Sequence, residues 1–392
     1  MRVTRRLALA VLIAGASAAL SSQATARVGG VVFDDRNANG ARDPGEPGLS
    51  GIAVSNQQDV VISGADGAFS LPSSGVGVVF VSVPSARRSI GAFWRPTANG
   101  PITFALAPQV AASTFSFMHA SDPHVSQAGL PRLQRARAIA AERNPSFVLM
   151  SGDLVRDSIR VGEEEARGYY DIYVNEIRNW PMAVWNVPGN HENFGIERHL
   201  SLVSPAHPLY GKGMYRQRLG PNYYSFSYGA VHFVGLDSVD IDDLWYYGHI
   251  DQVQLAWLKA DLAAVPPGTT IVTFNHIPFV SAMESVNGLR IDGAAPSTLT
   301  INGKPQYRHT VSNLADVLPL LKPFRWTHAL GGHLHIRETI RFASSTSTRF
   351  YQAAAIVGPG EGNVPAISGV TLYRVQDGAV DEGEFIPLDR QP

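Results

Sequence analysis

Phe147-Val148-Leu149-Met150 is a four-residue apolar run that gives way to Gly152-Asp153. A run this short and this apolar reads as a strand buried on both faces. Four more runs in the same part of the chain end alike, on residue types that bind metals. Phe115-Ser116-Phe117-Met118 leads to Asp122-Pro123-His124, and Ala183-Val184-Trp185-Asn186-Val187 leads to Gly189-Asn190-His191-Glu192. Ile271-Val272-Thr273-Phe274 leads to Asn275-His276, and the run 326–330 leads to Gly332-His333-Leu334-His335. Helical patterns lie between them. Leu130, Leu133, Ile139 and Ala140 fit one helix face; Val253, Trp257, Leu258 and Leu262 fit another, with Asp251 near its start. Strands alternating with helices predict a layered α/β domain. In open α/β sheets ligands bind outside the carboxyl ends of the strands, so five such ends can converge on one crevice.

Carboxylate oxygen plus imidazole, without sulfur, suits Mn, Fe, Zn or similar ions. In extended backbone, residues two apart point the same way, so D-x-H and H-x-H each aim two ligands at one place, with Pro123 and Leu334 facing away. Gly152, Gly189 and Gly332 permit close backbone approach where a side chain would block ions or substrate.

The rest of the 392 residues bound the answer. Hydrophobic residues are 45% and charged residues 17%, which excludes global disorder. The chain has no cysteine, which excludes disulfides, thiolate zinc sites, cysteine nucleophiles and lipoprotein acylation. Arg2, Arg5 and Arg6 precede an apolar stretch at 7–20, too short for a membrane span, and Ala24-Thr25-Ala26 follows as a small-x-small cleavage site. Residues 1–26 therefore read as a signal peptide, with Arg5-Arg6 a weak mark of twin-arginine export, and the mature protein is expected to be periplasmic or secreted. Those three arginines, with no acid beside them, take the formal charge from −1 to −4 on cleavage. No basic field is left to hold a long nucleic acid, and no later segment is apolar enough to span a membrane.

Residues 27–110 have short alternating runs and frequent turns, which predict a small all-β sandwich, with a junction near 108–114; residues 111–392 form the α/β part and its C-terminal strands. Within the first part, Asp35, Asn37, Asn39, Ala41, Asp43 and Glu46 match the calcium-loop spacing D-x-N-x-N-G-x₅-E, with Gly40 at the bend. The flanks are strand-like, so no EF-hand helix pair is expected; the segment is similar to calcium loops in β-sandwich repeats of bacterial surface proteins. Ca²⁺ there would stiffen the first domain.

The ordered set D-x-H, G-D, G-N-H-E, lone His and G-H-x-H resembles the calcineurin-like metallophosphoesterase family, over about 220 residues. The N-terminal part is similar to the module attached to some exported bacterial members. The resemblance implies a four-layer αββα sandwich carrying two divalent metal ions. It places Asp122, His124, Asp153 and His335 on the first metal, and Asp153 as a bridge, Asn190, His276 and His333 on the second. It makes His191 the proton or hydrogen-bond donor beside the phosphoryl group, with Glu192 and Asp157 supporting the ligands. Two divalent cations against two aspartates leave a positive centre, a trap for an anionic phosphate, and a bridging hydroxide formed near neutral pH would attack phosphorus in line.

Departures narrow the class. Arg156 stands where the purple acid phosphatases carry Tyr, so a tyrosinate–iron pair is not expected. Arg156-Asp157 reverses the acid and base of the protein-phosphatase motif. Arg156 could contact phosphate, though a surface ion pair with Asp157 or a nearby glutamate is the favoured reading. His119, His199, His207, His232, His249, His309 and His328 match no ligand position and are expected in packing or surface roles. The connections 194–223, with Lys212, Arg216 and Arg218, and 279–309, with Arg290, Tyr307 and Arg308, could form a substrate wall. Trp245-Tyr246-Tyr247 could stack a leaving group, but core packing is favoured. The sequence thus predicts an exported phosphoesterase acting on a small phosphate ester. A nuclease or cyclic-nucleotide phosphodiesterase is one alternative. A calcium-dependent surface-binding protein with an inert phosphoesterase-like domain is the other.

Overall fold

A computed structural model describes residues 26–73, 75–97, 100–110, 112–283, 297–342, 348–358 and 367–389. The leader at 1–25 and Arg290 lie outside the described residues.

The fold is mixed α/β, with several sheets. Two six-stranded sheets carry the strand ends read above. In the first, Ala183–Val187, Phe147–Ser151 and Thr114–Ala120 run parallel, and Gly369–Gln376 returns antiparallel beside Thr114–Ala120. In the second, Val231–Gly235, Thr270–Phe274, Arg325–Gly331 and Arg349–Gln352 run parallel, with Tyr224–Tyr228 and Glu338–Arg341 antiparallel at the edges. Parallel neighbours deliver their carboxyl ends to one edge, which is what brings distant polar residues together.

Side-chain alternation sorts the first sheet between two cores. Met118, Val148 and Met150 join Leu133, Ala136, Ile139 and Ala140 of the helix Leu130–Arg143 and Ala166, Tyr170 and Tyr173 of Glu163–Ile177. Phe117, Phe147 and Leu149 point the other way, against Phe226 and Phe233 of the second sheet. The helix Gln252–Leu262 starts as read, with the Asp251 carboxylate accepting the Gln254 N–H at 2.7 Å. Trp257, Leu258 and Leu262 of its expected face are buried, and Val253 is the exception. Val253 is 46% exposed and Gln254 is buried instead, because the Gln254 amide holds both the N–H and the C=O of Asp237.

Residues 27–108 form two four-stranded sheets. One orders Ala68–Pro72, Arg27–Asp34, Ile102–Pro108 and Arg87–Ser89; the other orders Val60–Ile62, Ala53–Ser55, Val78–Val81 and Trp94–Pro96. Their apolar residues belong to the same continuous core as the second six-stranded sheet. Phe80 meets Trp257 edge-on at 6.2 Å, Phe93 lies 4.8 Å from Trp185, and the Ser227 N–H donates to Val83 O at 2.8 Å. No helix among the described residues is long and apolar enough to cross a membrane.

Candidate metal centre

The five strand ends converge. Asp122 and His124 follow Thr114–Ala120, Asp153 follows Phe147–Ser151, Asn190 and His191 follow Ala183–Val187, His276 follows Thr270–Phe274, and His333 and His335 follow Arg325–Gly331. The seven residues expected as ligands form one connected group. His335 Nε2 lies 3.3 Å from Asp122 Oδ1 and 3.1 Å from His124 Nε2. His124 Nε2 lies 3.5 Å from Asp153 Oδ2, and Asp153 Oδ1 lies 3.2 Å from His276 Nε2. His276 Nε2 in turn lies 3.0 Å from Asn190 Oδ1 and 3.1 Å from His333 Nδ1. Asp122 and Asp153 are almost sealed from solvent.

The expectation that D-x-H and H-x-H are extended is wrong. Asp122, His124, Asp153, His333 and His335 all have positive φ, between 40° and 72°. The chain turns at each ligand instead of running straight through it. Non-glycine residues avoid this region, and such strain clusters at functional sites. Two glycines make room for the turns. A Cβ on Gly189 would stand 2.3 Å from Asp153 Oδ1, and one on Gly332 would stand 1.9 Å from Ser121 Oγ.

The chemistry of the donor set tests whether cations fit. His276 Nδ1 faces the Ser151 carbonyl at 2.9 Å; a carbonyl only accepts, so Nδ1 carries a proton and Nε2 is the nitrogen turned to the cluster. Ring nitrogens at 3.1 Å from one another, bordered by carboxylates, are acceptors aimed at a common point. Three trios could each hold an ion: Asp122, His124 and His335; His124, Asp153 and His191; and Asp153, His276 and His333. Hard oxygen and imidazole nitrogen are the ligands divalent Mn, Fe and Zn take, so the residues fit. Asp153 belongs to two of the trios.

Electrostatics agree. Burial opposes ionisation of Asp122 and Asp153, but the surrounding imidazoles more than offset it and hold both carboxyls below the usual range. Burial also lowers His276, yet the Asp153 and Asp122 carboxylates lift it to about 9. His124 is pushed down to about 4 by burial and then by His191, and His333 lies well below its usual value by burial and by His276 and His309. His124 and His333 are thus held neutral, the form that binds a metal, whereas His276 between its carboxylates holds a second proton that a cation would displace.

His191 sits over the cluster. Its Nδ1 donates to Arg156 O at 2.6 Å, its backbone N–H donates to Asp153 Oδ1 at 2.9 Å, and its Nε2 lies 3.8 Å from Asp153 Oδ2. Glu192 is buried and accepts the N–H groups of Val155 at 3.0 Å and Gly189 at 2.6 Å, so it staples two ligand loops. Burial, and then Asp153, raise its carboxyl to about 8. Asp157 accepts the N–H groups of Ile159 and Arg160 and pairs with Arg160 at 3.1 Å. That corrects the reading of Arg156, whose side chain is exposed and makes no ion pair with Asp157.

One neighbour escaped sequence reasoning. His309 Nδ1 lies 2.8 Å from His333 Nε2, with the rings stacked at 5.1 Å, and so orients that ligand from behind. It closes the 279–309 connection, 24 residues before His333, and no local spacing marks it. Of the charged residues in the two connections, Lys212 pairs with Asp237 at 2.6 Å and Arg218 with Asp171 at 2.9 Å, while Arg308 lies over Tyr246. His119, His232 and His328 are buried and hydrogen-bonded.

The calcium-type loop is arranged differently. Asp35 accepts the N–H groups of Asn39 at 3.1 Å and Gly40 at 2.8 Å, and Glu46 accepts those of Arg36 and Asp43. Asp43 accepts the side-chain amides of Asn37 and Asn39, and Asn39 Oδ1 accepts the Ala41 N–H.

Comparison with known proteins agrees with this geometry. Residues 115–337, more than half of the chain, match the calcineurin-like phosphoesterase family, and the chain belongs to it. It is a metal-dependent phosphoester hydrolase. It is similar to a probable cyclic nucleotide phosphodiesterase from Rhodococcus erythropolis, 25% identical over 61% of this chain and 69% of the relative. Among solved structures, a dimetal phosphatase from Danio rerio superposes with a TM-score of 0.45 at 14% identity, covering 71% of this chain and 99% of that one. GAP50, the anchor in the inner membrane complex of Plasmodium, superposes with a TM-score of 0.45 at 14% identity, covering 71% and 85%.

Proposed function

We propose that the chain is an exported hydrolase of small phosphomonoesters, phosphodiesters or both, built on a four-layer αββα sandwich behind an N-terminal β-sandwich. The observation that carries the reading is the convergence of Asp122, His124, Asp153, Asn190, His276, His333 and His335 beyond the carboxyl ends of parallel strands in two mixed sheets. Asp122, His124, Asp153 and His335 would hold one divalent ion; Asp153, Asn190, His276 and His333 would hold the other. When bound, the two ions supply Lewis acidity to the phosphoryl oxygens and lower the pKa of water in the site.

The chain's own residues do the rest. His276 is fixed by Ser151 and His333 by His309, so neither ligand ring turns away. With its Nδ1 proton committed to Arg156 O, His191 presents Nε2 to the cleft, where the protonated ring donates to the departing alkoxide. The Rhodococcus relative favours a diester, a cyclic nucleotide in particular, as the first substrate to try.

The test combines metal analysis of the purified mature chain with turnover of nitrophenyl phosphate, bis(nitrophenyl) phosphate and cyclic AMP. The expected result is two divalent ions per chain and chelator-sensitive hydrolysis. In His191→Ala, turnover falls about 100-fold or more while metal content stays at the parental level. An inactive parent carrying its full metal complement would refute the reading. Metal loss in His191→Ala would mean that His191 is a ligand.

A further inference from the structure

The hairpin made by Val239–Asp242 and Trp245–Gly248 brings Tyr246 to the metal cluster. Its ring stands edge-on to His333 at 5.8 Å and packs among Ile159, Ile196 and Ile277. The Arg308 guanidinium lies 4.3 Å from the centre of the Tyr246 ring and 5.1 Å from that of Trp245. The hairpin is pinned at both ends: Arg198 pairs with Asp243 at the tip, and the Ser312 N–H donates to Gly248 O at 2.8 Å at the base. Tyr246 is therefore held rigidly.

Its hydroxyl breaks the usual rule. A buried tyrosine normally finds a hydrogen-bond partner for its O–H. Tyr246 is only 7% exposed, yet its hydroxyl has no partner among the described residues, and it is not one of the polar atoms sealed from solvent. Tyr247 beside it shows the ordinary arrangement, donating to Asp240 at 3.0 Å. A phenolic O–H without an acceptor beside it can donate a hydrogen bond to an anion that enters next to His333.

We propose that the Tyr246 hydroxyl is a substrate contact that donates a hydrogen bond to a non-bridging phosphoryl oxygen, and that Arg308 is a positioning residue that fixes the ring by stacking on it. This rests on the phosphoesterase reading above and names a residue that the family's ligand pattern leaves out.

Tyr246→Phe removes the oxygen and keeps the ring. It should lower kcat/KM for nitrophenyl phosphate about 10- to 100-fold, the worth of one hydrogen bond to a charged group, with metal content unchanged. It should weaken inhibition by orthophosphate, which has no leaving group, by a comparable factor. Arg308→Lys should cause a smaller loss that disappears in the Tyr246→Phe background, a non-additivity that a merely structural arginine would not show. If Tyr246→Phe leaves turnover and orthophosphate inhibition within twofold of the parent, the contact is absent. A loss confined to esters, with orthophosphate inhibition intact, also overturns the assignment, since it would place the hydroxyl on the leaving group. A parent inactive on every ester sinks the broader reading instead, so the two failures are distinguishable.

Discussion

The loop 35–46 and the metal centre both show as oxygen- and nitrogen-rich patterns in the sequence, but they meet their hydrogen-bonding needs in opposite ways. In the loop, Asp35, Asn39, Asp43 and Glu46 turn their oxygens onto N–H groups a few residues away. In the centre, His124, His276, His333 and His335 face other ligand side chains across five strand ends. A spacing pattern inside twelve residues can be satisfied by its own backbone. In the set drawn from Asp122 to His335 the two aspartates also accept backbone N–H groups, from His333 and His191, but ring nitrogens of His124, His276, His333 and His335 lie against other ligand side chains. Convergence of separate elements thus leaves ligand atoms facing one another, whereas the compact motif turns its oxygens onto its own backbone.

The largest effect is expected at Asp153, the carboxylate common to two of the trios. Asp153→Ala should strip both ions and lower turnover by about four orders of magnitude or more, as seen by metal analysis and a nitrophenyl ester assay. Retained activity would break the comparison at its strong end. His309→Ala should weaken metal affinity about 10- to 100-fold by freeing His333 to rotate, measured by competition with a chromogenic chelator. Asp35→Ala should cost about 1–3 kcal/mol in denaturant unfolding, because two backbone donors lose their acceptor, while turnover stays within twofold. A rise of several degrees in the parental Tm on adding calcium would break the comparison at its weak end.

A buried histidine away from both sites sharpens it further. His328 Nε2 donates to Asp381 O at 2.9 Å, and burial pushes the ring down to about 4. Unfolding restores the ordinary value near 6.5, so the unfolded chain binds the extra proton. The neutral ring's contribution is complete above pH 6.5 and is lost as pH falls toward 4, with a slope of about 1 kcal/mol per pH unit. His328→Gln should flatten the acid limb of the stability curve in that window. An unchanged limb would show that another group controls it.

Much of the site was legible because each ligand ends an apolar run, and strand and ligand lie within a few residues of each other. The G-D, G-N-H-E and G-H-x-H elements needed no knowledge of which strands pair. What escaped depended on pairing. His309 and Tyr246 reach the centre from the far ends of connections whose paths no local pattern encodes. The turned backbone at Asp122 and His333 also escaped, since an alternating pattern cannot tell an extended segment from a kinked one. The exposure of Val253 in Gln252–Leu262 went with a buried amide at Gln254 serving Asp237, a polar demand that hydrophobic spacing ignores. Likewise, short alternating runs announced strands in 27–108 but gave no sign that Phe80 and Phe93 would share a core with Trp257 and Trp185.

The ligand loops are knitted to one another by their main chains. Asp122 N donates to Gly152 O, His124 N to Asp153 O, and Gly332 N to His276 O, at 2.9–3.1 Å. Inserting a single amino acid into any of these loops would therefore drag its neighbours out of register as well. Over evolutionary time the centre can drift in its outer walls, but the lengths of these loops must be inherited together.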